Sequence, residues 1–478
     1  MESTATIPNS RRWWILANIS IGTFMATLDG SIANVALPTI SNSLHITLQT
    51  VQWVVTAYLL TISSLLPIVG KISDLIGKGR VYNIGFIVFS IGSLLCSLSP
   101  TITLLILSRI AQAIGASLLM ANSQGIVAQT FSPKERGRAL GITGMMVSLG
   151  SLTGPAIGGF LIDALGWPSI FWVNVPIGII GFLYALWILP KEKGTKIDKS
   201  FDLWGSVLFI VGIIILLYTV SNGETWGWNS ARTLVLIAVA LVLLVGFVFQ
   251  ERRTKNPMLD LSLYHSRTFS AGTSAGFLSF ISLFTTTIMI PFYMEYVLHF
   301  SASTVGLAMV ANPLVMVIVA PLSGWLSDHI GSIVLATGGL IINALGFISL
   351  SLLGTHAGFW LIALHLAVFG LGQGMFQSPN NASIMSSVPR DKLGIAGGFN
   401  ALVRNLGMVG GITLSVALFN SRLHAIARLQ PALSHSSTGF VEALHTVFWA
   451  SAITSLTGAA LSLMRNRKKP APTPSTGH

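Results

Sequence analysis

Gly70-Lys-Ile-Ser-Asp74-Leu-Ile-Gly77 returns 254 residues further on as Gly324-Trp-Leu-Ser-Asp328-His-Ile-Gly331. Each copy joins two apolar runs and closes on a glycine, the residue that lets a chain turn back tightly. A second pair, Pro133-Lys-Glu-Arg-Gly137 and Pro389-Arg-Asp-Lys-Leu-Gly394, repeats at an offset of 256 to 257. Two halves in the same orientation therefore follow one another along the chain, an arrangement that places a binding site at their interface. Six membrane spans fit into fewer than about 200 residues at about 20 apolar residues each, so the offset leaves room for two further spans between the halves. The first copy continues as Lys78-Gly79-Arg80, whereas Ser332 follows the second. Gly70, Asp74, Gly77, Arg80 and Asp328 are thus expected to form a hinge or latch on one face, weaker in the second half.

Composition agrees with that plan. The 478 residues are 52% hydrophobic and 9% charged, with a mean hydropathy of +0.75, against roughly a quarter charged residues in a soluble chain. Fourteen apolar runs span the sequence, the first near residues 14–35. The expected all-α plan is an N-terminal six-helix half at 1–189, a linker with two inserted helices at 190–267, a C-terminal six-helix half at 268–464 and a basic, disordered tail at 465–478. With the N-terminus inside, 22 of the 27 Lys and Arg fall on the inner side and 3 on the outer. That asymmetry places both termini in the cytoplasm. The net charge of +12 is spread over interhelical loops, so it orients the chain and does not mark nucleic-acid binding. A single cysteine, Cys96, offers neither a disulfide nor a thiolate metal site.

Two ionisable residues lie deep within the expected spans at one level. Asp29 is about 8 Å below the outer face on span one, and Arg109 about 10 Å below it on span four. A buried carboxylate is costly, and a change in its pairing lets it bind or release a proton. Arg404, on span thirteen, has no carboxylate at its level, which points to a water-lined cavity or an anionic group on a substrate. His365 aligns with Arg109 in the repeat and can titrate near neutral pH, or can serve simply in packing. On span five, Gly150, Gly154, Gly158 and Gly159 let a neighbouring helix approach closely, and Pro155 kinks the helix. Gly272-Thr-Ser274-Ala-Gly276 imitates a hydrolase elbow but has no strand before it, so no enzyme is read from it.

The sequence resembles the fourteen-helix drug:proton antiporter family of the major facilitator superfamily. The likeness is carried by Leu28-Asp29-Gly-Ser-Ile-Ala-Asn34-Val-Ala-Leu-Pro38, Gly70 to Arg80, Arg109-Ile-Ala-Gln112-Ala-Ile-Gly115, Gly154-Pro155, Asn174-Val-Pro176-Ile-Gly178, Phe201-Asp202-Leu-Trp-Gly205 and Arg404-Asn-Leu-Gly407. It departs at Ala113, where glycine is usual, and at Pro168, where arginine commonly follows the tryptophan. The resemblance implies proton-driven export, with proton coupling at Asp29 and Arg109 and antiport at the helix of Gly154 and Pro155. Asn34, Gln112, Asn400, Arg404 and His365 are the expected substrate-cavity residues.

The resulting expectation is a monomer in the inner or plasma membrane that exports amphipathic or monovalent cationic compounds by alternating access. Its partners would be the small-molecule substrate, protons and membrane lipids, with no nucleic acid, metal or cofactor. Two alternatives remain: an exporter of a lipid or anionic metabolite, and a non-transporting membrane sensor or partner subunit.

Overall fold

The computed structural model describes residues 9–189, 202–254, 261–389, 392–430, 433 and 436–465. Most of the 190–202 linker and the tail beyond 465 lie outside the described residues, as does the side chain of Asp74.

The helices run in order as α1 (Asn9–Ser43), α2 (Trp53–Ile76), α3 (Lys78–Ser97), α4 (Ile102–Thr130), α5 (Pro133–Leu165) and α6 (Ser169–Ile188). Next come α7 (Leu203–Trp226) and α8 (Ala231–Arg253). The series ends with α9 (Arg267–Phe292), α10 (Ala302–Ile330), α11 (Ser332–Leu350), α12 (Phe359–Ser386), α13 (Leu393–Leu429) and α14 (Ser437–Leu463). Thirteen helices among the described residues are long and apolar enough to cross a membrane. The 24-residue α2 stands in addition at the position of the second expected span. Several run well past the apolar runs that announced them, because polar turns at the ends keep their backbone bonded within the helix. Thr101, Ser230, Ser266, Ser301 and Ser436 each accept a backbone N–H of the first turn of α4, α8, α9, α10 and α14. Each such cap contributes about 1 kcal/mol.

The repeated motif is repeated geometry. Gly77 ends α2 and opens α3 at φ 107° and ψ 124°, and Gly331 does the same between α10 and α11 at φ 93° and ψ 142°. Residues with a Cβ avoid that region at a cost of about 1–3 kcal/mol. Gly77→Ala and Gly331→Ala are therefore expected to lower the melting temperature in detergent, whereas Gly70→Ala, with open space at its Cβ, is expected to leave it unchanged. Equal melting temperatures for all three would refute the assignment of strain to the two turns.

Packing follows the same offset of eight helices. α1 packs on α4, α5 and α6, α3 on α4 and α6, and α2 on α4; α9 packs on α12, α13 and α14, α11 on α12 and α14, and α10 on α12. Between the two groups, α5 meets α10, α2 meets α13 and α1 meets α9. The hydrogen bonds described between the groups gather on the side away from Arg11 and Arg465, called here the far side. Asp163 at the end of α5 accepts the backbone N–H of Ala302 at 3.2 Å and of Ser303 at 2.9 Å. Thr39 donates to Glu295 at 3.4 Å, and the Tyr296 hydroxyl to the Pro38 carbonyl at 3.4 Å. Apolar burial reinforces the seam, since one core joins Ile32, Val54 and Trp167 to Ile288, Phe347 and Val416. On the near side, Arg80 and Asp328 are both exposed.

The inserted pair is asymmetric. α8 packs on α7, and α7 packs on both α2 and α13. At its far end, Ser221 of α7 accepts from the side chains of Gln49 and Gln52, which precede α2. Near its other end, Phe209 belongs to an aromatic cluster with Phe269 and Phe399 of α9 and α13. Asp202 fixes the start of α7 by accepting from the Gly205 N–H at 2.9 Å, from Gln250 at 3.0 Å and from Thr254 at 3.1 Å.

Candidate functional site: a sealed Asp29–Arg109 cluster

Asp29 on α1 and Arg109 on α4, expected at one depth, form an ion pair of 2.7 Å in which both side chains are 0% exposed. Gln112, one turn after Arg109, closes a ring. Its Nε2 donates to Asp29 Oδ1 at 2.8 Å, and its Oε1 accepts from Arg109 Nη1 at 2.6 Å. Asn174 of α6 gives Asp29 Oδ1 a second amide donor at 2.9 Å. Ser93 on α3 accepts from both Gln112 and Asn174, at 3.0 and 3.2 Å, and donates to the Phe171 carbonyl at 2.9 Å. Arg109 Nε donates to the Val54 carbonyl at 3.1 Å. Its guanidinium carbon lies 4.0 Å from the Tyr58 ring centroid and 5.5 Å from that of Phe171. Cys96 is a weak donor to Gln112 Oε1 at 3.6 Å. The cluster thus ties five helices of the first half to one carboxylate.

That density of partners is what a buried pair requires, because the desolvation of two charges is offset only when their remaining donors and acceptors are also met. Arg109 is not completely satisfied. Its Nη2 has no hydrogen-bond partner, and neither has the buried Tyr58 hydroxyl. If Asp29 takes up a proton, the Arg109 contact loses its opposite charge, while Gln112, the Val54 carbonyl and the aromatic faces remain to hold the guanidinium. A protonation event can therefore change how α1 is held against α4 without expelling a charge from the cluster. The site is closed to solvent as it stands, so such an event needs an opening movement.

The glycine stripe of α5 does two jobs. Gly150, Gly154 and Gly158 lie against Phe24, Thr27, Ser31 and Ile32 of α1 with no room for a Cβ at Gly154 or Gly158, and the Gly150 carbonyl accepts from the Ser31 hydroxyl at 3.0 Å. Gly159 turns the other way and meets the Ala302 carbonyl of α10, while Gly306 of α10 meets the Pro155 carbonyl. Pro155 itself lies inside the continuous helix α5. Across the repeat, Gly407 and Gly411 of α13 lie against the Phe277 and Ile281 carbonyls of α9.

The other expected site residues fall in different places. Asn34 donates back to the Gly30 carbonyl at 3.1 Å, outside the Asp29 ring. Asn400 donates to Asn381 of α12 at 3.0 Å. His365 has both ring nitrogens engaged, by the Ser349 hydroxyl at 2.8 Å and the Leu361 carbonyl at 2.7 Å. It joins α11 to α12 as a packing residue, so its alignment with Arg109 does not carry over into a matching partner. Arg404 has no described partner, and its Nε is buried. At the near side, Arg465 is 3% exposed and donates to Asn380, and burial pushes its guanidinium down to about 10, which leaves it charged at neutral pH.

Asn174, Ser93 and Tyr58 were not singled out from the sequence. Depth is the signal that finds the first two. Asn174 lies five residues inside the far end of α6 and Ser93 four residues inside that of α3, about 6–8 Å down, the level already assigned to Asp29. Tyr58 carries no comparable mark, since an aromatic residue within a span is ordinary.

Comparisons with known proteins agree with the fold. The sequence pattern of the Major Facilitator Superfamily matches residues 19–412 and 272–478. A bacterial homologue of the human lysosomal transporter Spinster, solved inward-facing and unoccupied, superposes with a TM-score of 0.69 at 16% identity, over 95% of this chain and 97% of that one. Fourteen helices, a duplicated plan and the match to this superfamily make the chain a multi-pass membrane transporter. The chain belongs to the major facilitator superfamily and, within it, to the drug:proton antiporter family. The riboflavin transporter RibZ of Clostridioides difficile is 38% identical over 96% of this chain and 98% of its own length. The multidrug transporter MdtP of Bacillus subtilis is 32% identical over 86% of this chain and 76% of its own, and the multidrug export protein EmrB of Haemophilus influenzae 30% identical over 84% and 80%.

Proposed function

We propose that this efflux transporter is a proton-coupled antiporter of amphipathic organic compounds, working as a monomer in the bacterial inner membrane with both termini cytoplasmic. The observation that carries the reading is the sealed ring around Asp29. An acid with three donors, one of them its counter-charge, is a proton site that conformational change can switch. With the far side taken as the outside, the structure is closed outward. Asp29 accepts a proton from the outside in the opposite conformation and releases it inward, and substrate then travels the other way. Each net charge moved inward contributes about 2.3 kcal/mol per 100 mV, enough for a concentration ratio of about fifty.

The test is transport in proteoliposomes under an imposed pH gradient, with a chemically diverse panel. Efflux that follows the gradient and collapses with a protonophore is the expected result. Efflux indifferent to the gradient would overturn the coupling. A second reading, transport of flavins, is favoured by the match over nearly the full length of RibZ, and riboflavin belongs in the panel for that reason. The preference for monovalent cations that the sequence raised finds no support in the described carboxylates. Asp29 is covered, and Glu135, Asp163, Asp202, Glu251, Glu295, Asp328 and Glu442 all lie at or near helix ends.

A further inference from the structure

We propose that Arg404 is a substrate-docking residue, and that the compounds carried are amphipaths presenting an anionic group or a planar pair of carbonyl-type acceptors to its guanidinium. The proposal rests on the transport reading above and names its substrate class.

Arg404 lies eleven residues into α13, about 16 Å from the near end. It shares a helical stripe with Asn400, Gly407 and Gly411, since residues three and four apart fall on one face. Gly407 and Gly411 touch α9 and Asn400 touches α12. The stripe therefore faces the interior of the six-helix group rather than lipid. The Phe280 side chain, part-buried, stands beside Gly407 and supplies apolar surface next to the charge.

Each of the other inward arginines has an acceptor. Arg109 has three, Arg12 has Glu135 at 2.7 Å, Arg422 has Glu442 at 2.5 Å and Arg465 has Asn380. Among the described residues Arg404 has none, and its Nε is buried without a partner there. A guanidinium taken partly out of water with nothing to bond is destabilising, and an apolar side chain of similar length would fill the same volume at less cost. Its flat fork of N–H donors fits a carboxylate, a phosphate or paired carbonyl-type acceptors, and it repels a compact cation. A phospholipid headgroup offers the same chemistry, so the test has to separate the two sources.

The experiment measures binding to the full chain in nanodiscs of zwitterionic phosphatidylcholine, using two dyes with one ring system and opposite charge, fluorescein and rhodamine 123. Wild type is expected to bind fluorescein at least about tenfold more tightly, a difference of about 1.4 kcal/mol. Arg404→Gln is expected to erase that preference and leave rhodamine 123 unchanged, Arg404→Lys to keep part of it, and Arg404→Gln to melt no lower than wild type because no bond is lost. An unchanged fluorescein affinity in Arg404→Gln, tighter binding of rhodamine 123 by wild type, or no binding of either dye would each overturn the proposal. Repetition with one-fifth phosphatidylglycerol decides the source. An Arg404-dependent loss of fluorescein binding there would assign the site to lipid and overturn the substrate assignment. Export of rhodamine 123 under a pH gradient, with fluorescein indifferent to Arg404, would sink this inference alone. Absence of any gradient-driven export would sink the reading beneath it.

Discussion

Asp29→Asn is expected to abolish pH-driven export while substrate binding persists. The substitution keeps the shape of the side chain and removes the group that exchanges a proton. It also leaves Arg109 buried with neutral partners and, with the amide oxygen kept by the donors of Gln112 and Asn174, turns a donating NH2 toward the guanidinium. Breaking one side of a buried pair costs about 3–5 kcal/mol, so the variant should unfold at visibly lower temperature. Loss of transport through instability and loss through missing proton exchange can be told apart by the double variant Asp29→Asn/Arg109→Gln, which removes the stranded charge. Stability should recover in the double variant and coupling should not. Gradient-driven efflux equal to wild type in Asp29→Asn would eliminate Asp29 as the coupling acid.

The second large effect belongs to the seam between α5 and α10. Gly306→Val places a branched side chain where the Pro155 carbonyl already lies, and Gly159→Val does so at the Ala302 carbonyl. Backbone cannot retreat as a side-chain tip can. Overpacking of this kind costs about 1–3 kcal/mol, all of it levied on the conformation closed at the far side. The closed state should lose population by about 5- to 150-fold relative to the state open there. Spin labels at Leu165 and Leu352, both exposed at far-side helix ends, should report a longer mean distance in either variant, with export reduced in step. Distances matching wild type would show that the seam is not the gate.

Much of the fold was legible because a bilayer demands long apolar helices, and because duplication leaves the same turn residues in both halves. Gly77 and Gly331 fall in nearly the same backbone conformation 254 residues apart. The ion pair was legible through depth, a one-dimensional quantity that a helix converts directly from residue number. What stayed hidden was neutral or depended on shape. An asparagine or serine inside a span costs little and attracts no notice, so Asn174 and Ser93 emerge only when the level of Asp29 is searched. The far-side seam includes glycines meeting carbonyls, and which neighbour a glycine meets is a property of the packed bundle. Alignment of His365 with Arg109 failed as a guide to partners because Ser349 and the Leu361 carbonyl satisfy the ring locally.

The placement of α7 carries a mechanical consequence. Its far end is bonded beside α2, and its near end is packed into the aromatic cluster of α9 and α13, so it runs as a diagonal brace from the top of one half to the bottom of the other. In a symmetric rocking of two rigid halves, the span across the top lengthens as the span across the bottom shortens, and the diagonal between them changes only to second order. A stiff rod fastened at those two points can therefore hold the halves together through the whole stroke without resisting it. The same rod fastened at equal heights would have to stretch.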